Sequence, residues 1–353
     1  MLMLIKNKGT SIIVFFLFIL LVISFFIACS FGNVDIAFSN ISKVIFAHLS
    51  SDLAIDAGVQ GAFHDIVWLL RIPRIILAIC VGAGLSICGV VMQAIVKNPL
   101  ADPYILGVSS GASLGATVAI LLGVGAALGE NFVGVCAFAG AFAVSLLVLF
   151  IANLGGQANA VKLLLSGMAL STVCSAFSSF VVYFSNNMEG MQTIAYWLMG
   201  SLAGAKWEML YVLVPLILLG TLFFWSQTKI LNMMLLGDAD AITLGYDLHV
   251  YRQIYLLVSS IIVGFIVYSA GMVGFVGLLV PHVVRMIVGS NHIKMIPLTA
   301  LVGAIFLIWA DLCCRVILPR TELPIGILVS MLGAPCFIYL MVKKTYNFGG
   351  GNQ

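Results

Sequence analysis

The chain has 353 residues, 62% of them hydrophobic and only 8% charged, with a formal net charge of +3 and a mean hydropathy of +1.19. Soluble domains carry about 25% charged residues, so there is too little polar surface here to cover a water-facing globule, and lipid is the implied solvent. The same numbers exclude solenoid and disordered classes, and a balance of +3 suggests no nucleic-acid partner.

A helix that crosses a bilayer needs about 20 apolar residues, and the length accommodates roughly ten such spans. Lys6 and Lys8 precede the first apolar run, 11–31. A secretory or lipoprotein signal ending at Cys29 would look similar, but the run is long for a signal core, and a retained span is favoured. A polar stretch, 32–67, carries Asp35, Lys43, Asp52, Asp56 and Asp65. Spans then follow at 70–95, 108–126, 131–153 and 163–184. Residues 185–207 are semi-polar, with Tyr196, Trp197 and Trp207 suited to a membrane interface. The sixth span is 208–226, and the second half's longest polar stretch, 227–251, comes next. Spans at 252–270, 274–289, 296–318 and 324–342 complete ten. With the N-terminus inside and alternating spans, the inner loops receive ten Lys and Arg and the outer loops six, which places both termini in the cytoplasm.

Thirty-five glycines stand out, and Gly107, Gly111 and Gly115 recur on one helical face. In lipid, small residues let backbones approach closely, so this face reads first as ordinary helix packing and second as a crossing in a moving bundle. The eight cysteines, Cys29, Cys80, Cys88, Cys136, Cys174, Cys313, Cys314 and Cys336, all lie in apolar runs without metal-site spacing, and read as buried thiols. His282 after Pro281 could ligate a metal but reads as a hydrogen-bonded structural residue. No phosphate-binding P-loop is present. Asp311 is the one carboxylate placed within a span, near its outer end. Carriers driven by protons or sodium usually carry ionisable groups along their pathway, so the scarcity of such groups argues for energy from a partner.

Three regions carry chemistry. In Asn98-Pro99-Leu100-Ala101-Asp102-Pro103 two prolines interrupt the helix ladder. Irregular backbone at membrane depth sits beside protein or a water-filled cavity, so the run is either a gate or a rigid turn. Arg71 and Arg74 share a helical face near an outer end, and Arg315 lies near another; they either snorkel to headgroups or meet a partner. Residues 230–251 alternate Leu236, Ala239, Ile242 and Leu244 with Asp238, Asp240 and Asp247, punctuated by Gly237 and Gly245. They form either a surface helix or a docking element.

Four segments together resemble the FecCD/BtuC-type permeases of iron-siderophore, haem and vitamin B12 ATP-binding-cassette importers (type II importers). They are Leu70-Arg71-Ile72-Pro73-Arg74 with Gly82-Ala83-Gly84; Asn98–Pro103 with Leu106-Gly107-Val108-Ser109-Ser110-Gly111-Ala112; Phe275-Val276-Gly277-Leu278 with Pro281-His282; and Ala310-Asp311 with Glu322-Leu323-Pro324 and Gly333-Ala334-Pro335. The resemblance runs from about residue 11 to 344. It implies a single all-α transmembrane permease domain over 1–353, of about ten spans per subunit, in the bacterial plasma (inner) membrane. It further implies a homodimer, two copies of a separate ABC ATPase that bind ATP and Mg, an extracytoplasmic substrate-binding protein, and neither catalysis nor a cofactor or metal on this chain. The implied cytoplasmic gate comprises Asn98 and Leu100 with, more loosely, Ala160 and Val161; the ATPase-coupling surface comprises Leu236, Gly237, Asp238, Ala241, Leu244 and Gly245; binding-protein docking falls to Arg71, Arg74 and Arg315. The implied cargo is an iron(III) chelate, with cobalamin and haem next. An ion-coupled secondary carrier and a non-transporting receptor are the rival classes.

Overall fold

A chain this apolar meets its backbone hydrogen-bonding requirement internally by forming helices. The computed structural model describes residues 8–32, 34–49, 61–104, 107–129, 131–154, 156, 158–318 and 321–343; Lys6, Asp52, Asp56, Leu106, Arg320 and Lys344 lie outside the described residues. These are helical throughout their ordered elements, with no strand among the described residues. In chain order the helices are α1 (Lys8–Ser30), α2 (Phe38–Leu49), α3 (Ala62–Val96), α4 (Val108–Leu122), α5 (Phe132–Asn153), α6 (Ala160–Ser185) and α7 (Met188–Leu198). They continue as α8 (Trp207–Ser226), α9 (Thr228–Leu236), α10 (Asp238–Thr243), α11 (Leu248–Ala270), α12 (Val276–Val288), α13 (His292–Val316) and α14 (Ile325–Lys343).

Seven of these, α1, α3, α5, α6, α8, α11 and α13, are long and apolar enough to cross a membrane, and α4, α12 and α14 supply three shorter apolar helices. The ten coincide with the ten runs expected from the sequence. At about 1.5 Å per residue, the 13 residues of α12 reach only part of the way across a hydrocarbon layer of about 30 Å. The polar stretch 32–67 holds the short α2, and the semi-polar stretch 185–207 holds α7, neither of which hydrophobic runs could reveal.

Helix α3 is the centre of the bundle. In its most apolar stretch 89% of residues are buried, against 17% in α1. Pro73 cannot donate to the turn before it, and the helix accommodates this by widening into a π-helical turn over Ile66–Arg71, where the Ile72 amide reaches back to the Val67 carbonyl. Small residues bring its neighbours in. A Cβ on Gly82 would lie 2.2 Å from the Gly303 carbonyl oxygen of α13, and one on Gly89 would lie 1.8 Å from the Gly277 carbonyl oxygen of α12. The repeating glycines of α4 do the same at α5: Gly111 faces Gly140 and Gly115 faces the Cys136 carbonyl. Ordinary close packing accounts for them.

The cysteines differ from the expectation of eight buried thiols. Cys29, Cys80, Cys88, Cys174 and Cys314 are buried, Cys136 and Cys336 are half-buried, and Cys313 is exposed. A thiol is apolar enough to face lipid as readily as protein, which is why apolar surroundings in sequence did not fix its orientation.

The α3 crossings give a stability prediction. Gly89→Leu has no room against the α12 backbone and should lose about 3 kcal/mol, the upper end of typical overpacking costs. Gly204→Ala, where a Cβ meets nothing within 4 Å, should stay within about 0.5 kcal/mol of the parent. Thermal unfolding in detergent, read for both variants side by side, checks the contrast.

Candidate functional site

Two polar clusters occupy opposite ends of the bundle. At the first, α1 ends, α3 begins and α13 ends. Asp311, 1% exposed, sits between two guanidiniums: Arg74 Nε donates to its Oδ1 at 2.9 Å, and Arg315 Nε lies 3.1 Å from its Oδ2. Arg74 Nη1 also donates to the half-exposed Glu322 at 2.7 Å. Arg71 turns inward and donates to the carbonyls of Cys29, Ser30 and Val34, while Arg315 donates to those of Ala28 and Phe31 at 3.2 and 3.4 Å. The last turn of α1 has carbonyls without intrahelical partners, and the two arginines cap them. The snorkelling reading is therefore corrected: Arg71 and Arg315 are each only 6% exposed, and all three arginines have partners within the chain. They nonetheless line, with Gly32, Leu70 and Glu322, a cavity of about 330 Å³ open at this end. Beside it lies an aromatic group, with Trp207 Nε1 donating to the Trp68 carbonyl at 2.9 Å and His48 stacked on Trp68.

The opposite end holds the proline loop and the polar stretch. Helix α3 stops at Lys97, which takes a left-handed conformation, φ 55°. The loop after it is braced by its own side chains: Asn98 Oδ1 accepts from the Leu100 amide at 2.9 Å, and Asp102 Oδ1 accepts from the Tyr104 amide at 2.8 Å. Burial pushes the Asp102 carboxyl up to about 6, and the Tyr104 amide draws it back down. Pro103 seats on Gly277, where a Cβ would approach its ring at 2.5 Å. Nearby, Asn159 caps α6, its Oδ1 accepting from the Lys162 amide at 2.9 Å; Ala160 and Val161 form the first turn, and Val161 is exposed.

The stretch 227–251 folds as two short helices, α9 and α10, hinged at Gly237, whose φ of 124° suits glycine, and then enters α11 at Leu248. Ala241 is fully buried, whereas Leu236, Ile242 and Leu244 are 55%, 67% and 56% exposed. These three apolar side chains are left uncovered at a polar end of the bundle. Lys97 Nζ reaches the Leu236 carbonyl at 3.4 Å. Arg252, 4% exposed, pairs with Asp238 at 2.7 Å and donates to the Ala158 carbonyl at 3.3 Å. No periodicity relates Arg252 to Asp238 or Ala158, so the sequence carries no signal for this contact. Asp311 and Arg315, four apart on one helix, did carry a readable pairing signal.

His282 is buried, with its ring edge-on to Phe337 at 6.5 Å. Among the described residues no group of three His, Cys, Asp or Glu side chains is placed to hold a metal.

An all-helical bundle with seven helices long and apolar enough to cross a membrane places the chain in the class of polytopic membrane proteins. Residues 20–343 match the FecCD transport family, and the chain belongs to it. It is 39% identical over 280 residues to the vitamin B12 import system permease proteins BtuC of Salmonella typhi and of Salmonella enteritidis, an alignment that spans 79% of this chain and 84% of each relative. Among solved structures it is similar to a metal-chelate type ABC transporter in an inward-facing conformation, with a TM-score of 0.81 and 33% identity over 95% of this chain and all of that one. PsaBC from Streptococcus pneumoniae shares the fold at a TM-score of 0.50 and 15% identity.

The buried acid gives the prediction for this end. Removing one partner from a buried ion pair strands the other charge, so Asp311→Ala should cost about 3–5 kcal/mol. Glu322, whose side chain is 38% exposed, should cost no more than about 1 kcal/mol when truncated. Thermal unfolding of the two variants measures the difference.

Proposed function

We propose that this chain is the permease subunit of an ATP-binding-cassette importer that moves a metal chelate into the cytoplasm. The observation that carries the reading is the exposed apolar surface of α9–α10, at the same end as the proline loop and the start of α6. That surface would seat an ATPase; Asn98, Leu100, Ala160 and Val161 would gate the path; both termini would be cytoplasmic. Two copies of the chain would enclose the pathway, above two ATPase subunits that carry ATP and Mg.

An extracytoplasmic binding protein would dock at the opposite mouth. Because Arg71, Arg74 and Arg315 are drawn into the cavity, an acidic group of that protein would have to enter it. The chelate proposed first is an iron(III)-siderophore. The identity with vitamin B12 permeases favours cobalamin as the second reading. Uptake of radiolabelled ferric siderophore and of radiolabelled cobalamin into vesicles, driven in turn by ATP and by a membrane potential, tests the function. Uptake that follows the potential alone would make the chain a secondary carrier.

Two variants probe the separate ends. Replacing Gly237 and Gly245 with leucine forces side chains onto positive φ at both positions, and at Gly237 a Cβ would lie 2.3 Å from Lys97 Nζ. Uptake per ATP hydrolysed should fall about tenfold, within the range that changes along a coupling route produce. At the other end, Glu322→Gln removes a half-exposed acid from the arginine cavity. Docking of an acidic partner should tighten by up to about fivefold, the equivalent of about 1 kcal/mol. Affinity measured with the purified binding protein reads the change, and weaker docking would place the partner elsewhere.

A further inference from the structure

The junction Leu236-Gly237-Asp238, between α9 and α10, is gripped from two directions. Lys97, the residue that ends α3 and opens the proline loop, reaches the Leu236 carbonyl. Arg252, on α11, holds Asp238 with Nη2 and the Ala158 carbonyl with Nη1. Ala158 lies immediately before the cap of α6, and the next residue of α11, Gln253, donates to Asn153 Oδ1 at 3.2 Å at the end of α5. A single guanidinium therefore joins the first residue of α10 to the chain entering α6. It does so beside a cavity of about 230 Å³ lined in part by Asn159, Ile242 and His249.

Geometry makes this link stiff. A guanidinium is planar, and its two terminal nitrogens serve two acceptors at a fixed separation. Arg252 is nearly enclosed, which screens the pair less than a surface contact. Asp238 is half-exposed and stands among the apolar side chains that α9–α10 present outward, so a body pressing on that surface pulls on Arg252. The other titratable groups that face the cavity, Asp247 and His249, lie at or beside the start of α11 itself.

We propose that Arg252 is a positioning residue that transmits displacement of α10 to the start of α6, through Asp238 on one side and the Ala158 carbonyl on the other. This rests on the reading of α9–α10 as the ATPase seat and of Ala160 and Val161 as part of the gate. The link assigns a direction to coupling: α10 and the entry to α6 move together because one side chain holds both.

The test uses the full chain assembled with its ATPase in lipid nanodiscs. Cys313, the exposed native thiol, is replaced by serine, and Val161→Cys reports on the gate. The rate of maleimide labelling at that position is read with and without Mg-ATP and vanadate. In the Arg252→Gln variant, assembly with the ATPase should persist, and thermal stability should fall far less than in Asp311→Ala because Asp238, which loses its partner, is half-exposed. The nucleotide-dependent change in labelling should shrink about tenfold. Arg252→Lys keeps the charge but not the fork and should fall in between. A full nucleotide response in Arg252→Gln overturns the proposal. Should Arg252→Gln fail to assemble, a full response in Arg252→Lys overturns it. If labelling in the parent itself ignores nucleotide, or no ATPase assembles with it, the underlying reading of the two regions fails and the link with it.

Discussion

Apolar side chains gain little by leaving lipid for protein, so the bundle depends on how closely its backbones approach α3. Two crossings set that distance, Gly82 on Gly303 and Gly89 on Gly277, with no space for a Cβ at either. Everything at the ends follows from them. The first crossing runs α13 alongside α3, which delivers Asp311 to Arg74. The second holds α12 against α3 and lets Pro103 settle on Gly277, which fixes the proline loop.

The two ends then separate by chemistry. At one, charges are largely satisfied inside the chain: three arginines and two acids close on each other and on the carbonyls of α1. The enclosed pairs resist loss of a partner far more than loose surface pairs do, so this end is built as a firm rim around a small cavity. At the other, the apolar side chains of α9–α10 remain uncovered while their hinge is tied inward by Lys97 and Arg252. One end is thus closed by its own ion pairs, while the other keeps an uncovered apolar surface.

Much of this was readable beforehand. Runs of about 20 apolar residues locate spans because lipid rewards continuous apolarity, and the positions of the ten apolar helices agree with those runs. Pro99 and Pro103 located the break after α3 because proline removes a backbone donor wherever it sits. The inward turn of Arg71 was not readable: an arginine at a helix end can reach headgroups or carbonyls with equal chemistry, and only the placement of the α1 terminus beside it decides. Nor could apolar neighbours tell whether Cys313 faces protein or lipid.

The sequence by itself determined the membrane class, the spans, the breaks and the family, since each of these is carried by local composition or by a contiguous motif. Tertiary structure alone decided which polar groups meet across helices. Arg74 is 237 residues from Asp311 and Arg252 is 94 from Ala158. Contacts across such separations are set by helix crossings and crossing order, and neither property is written in the periodicity of any one segment.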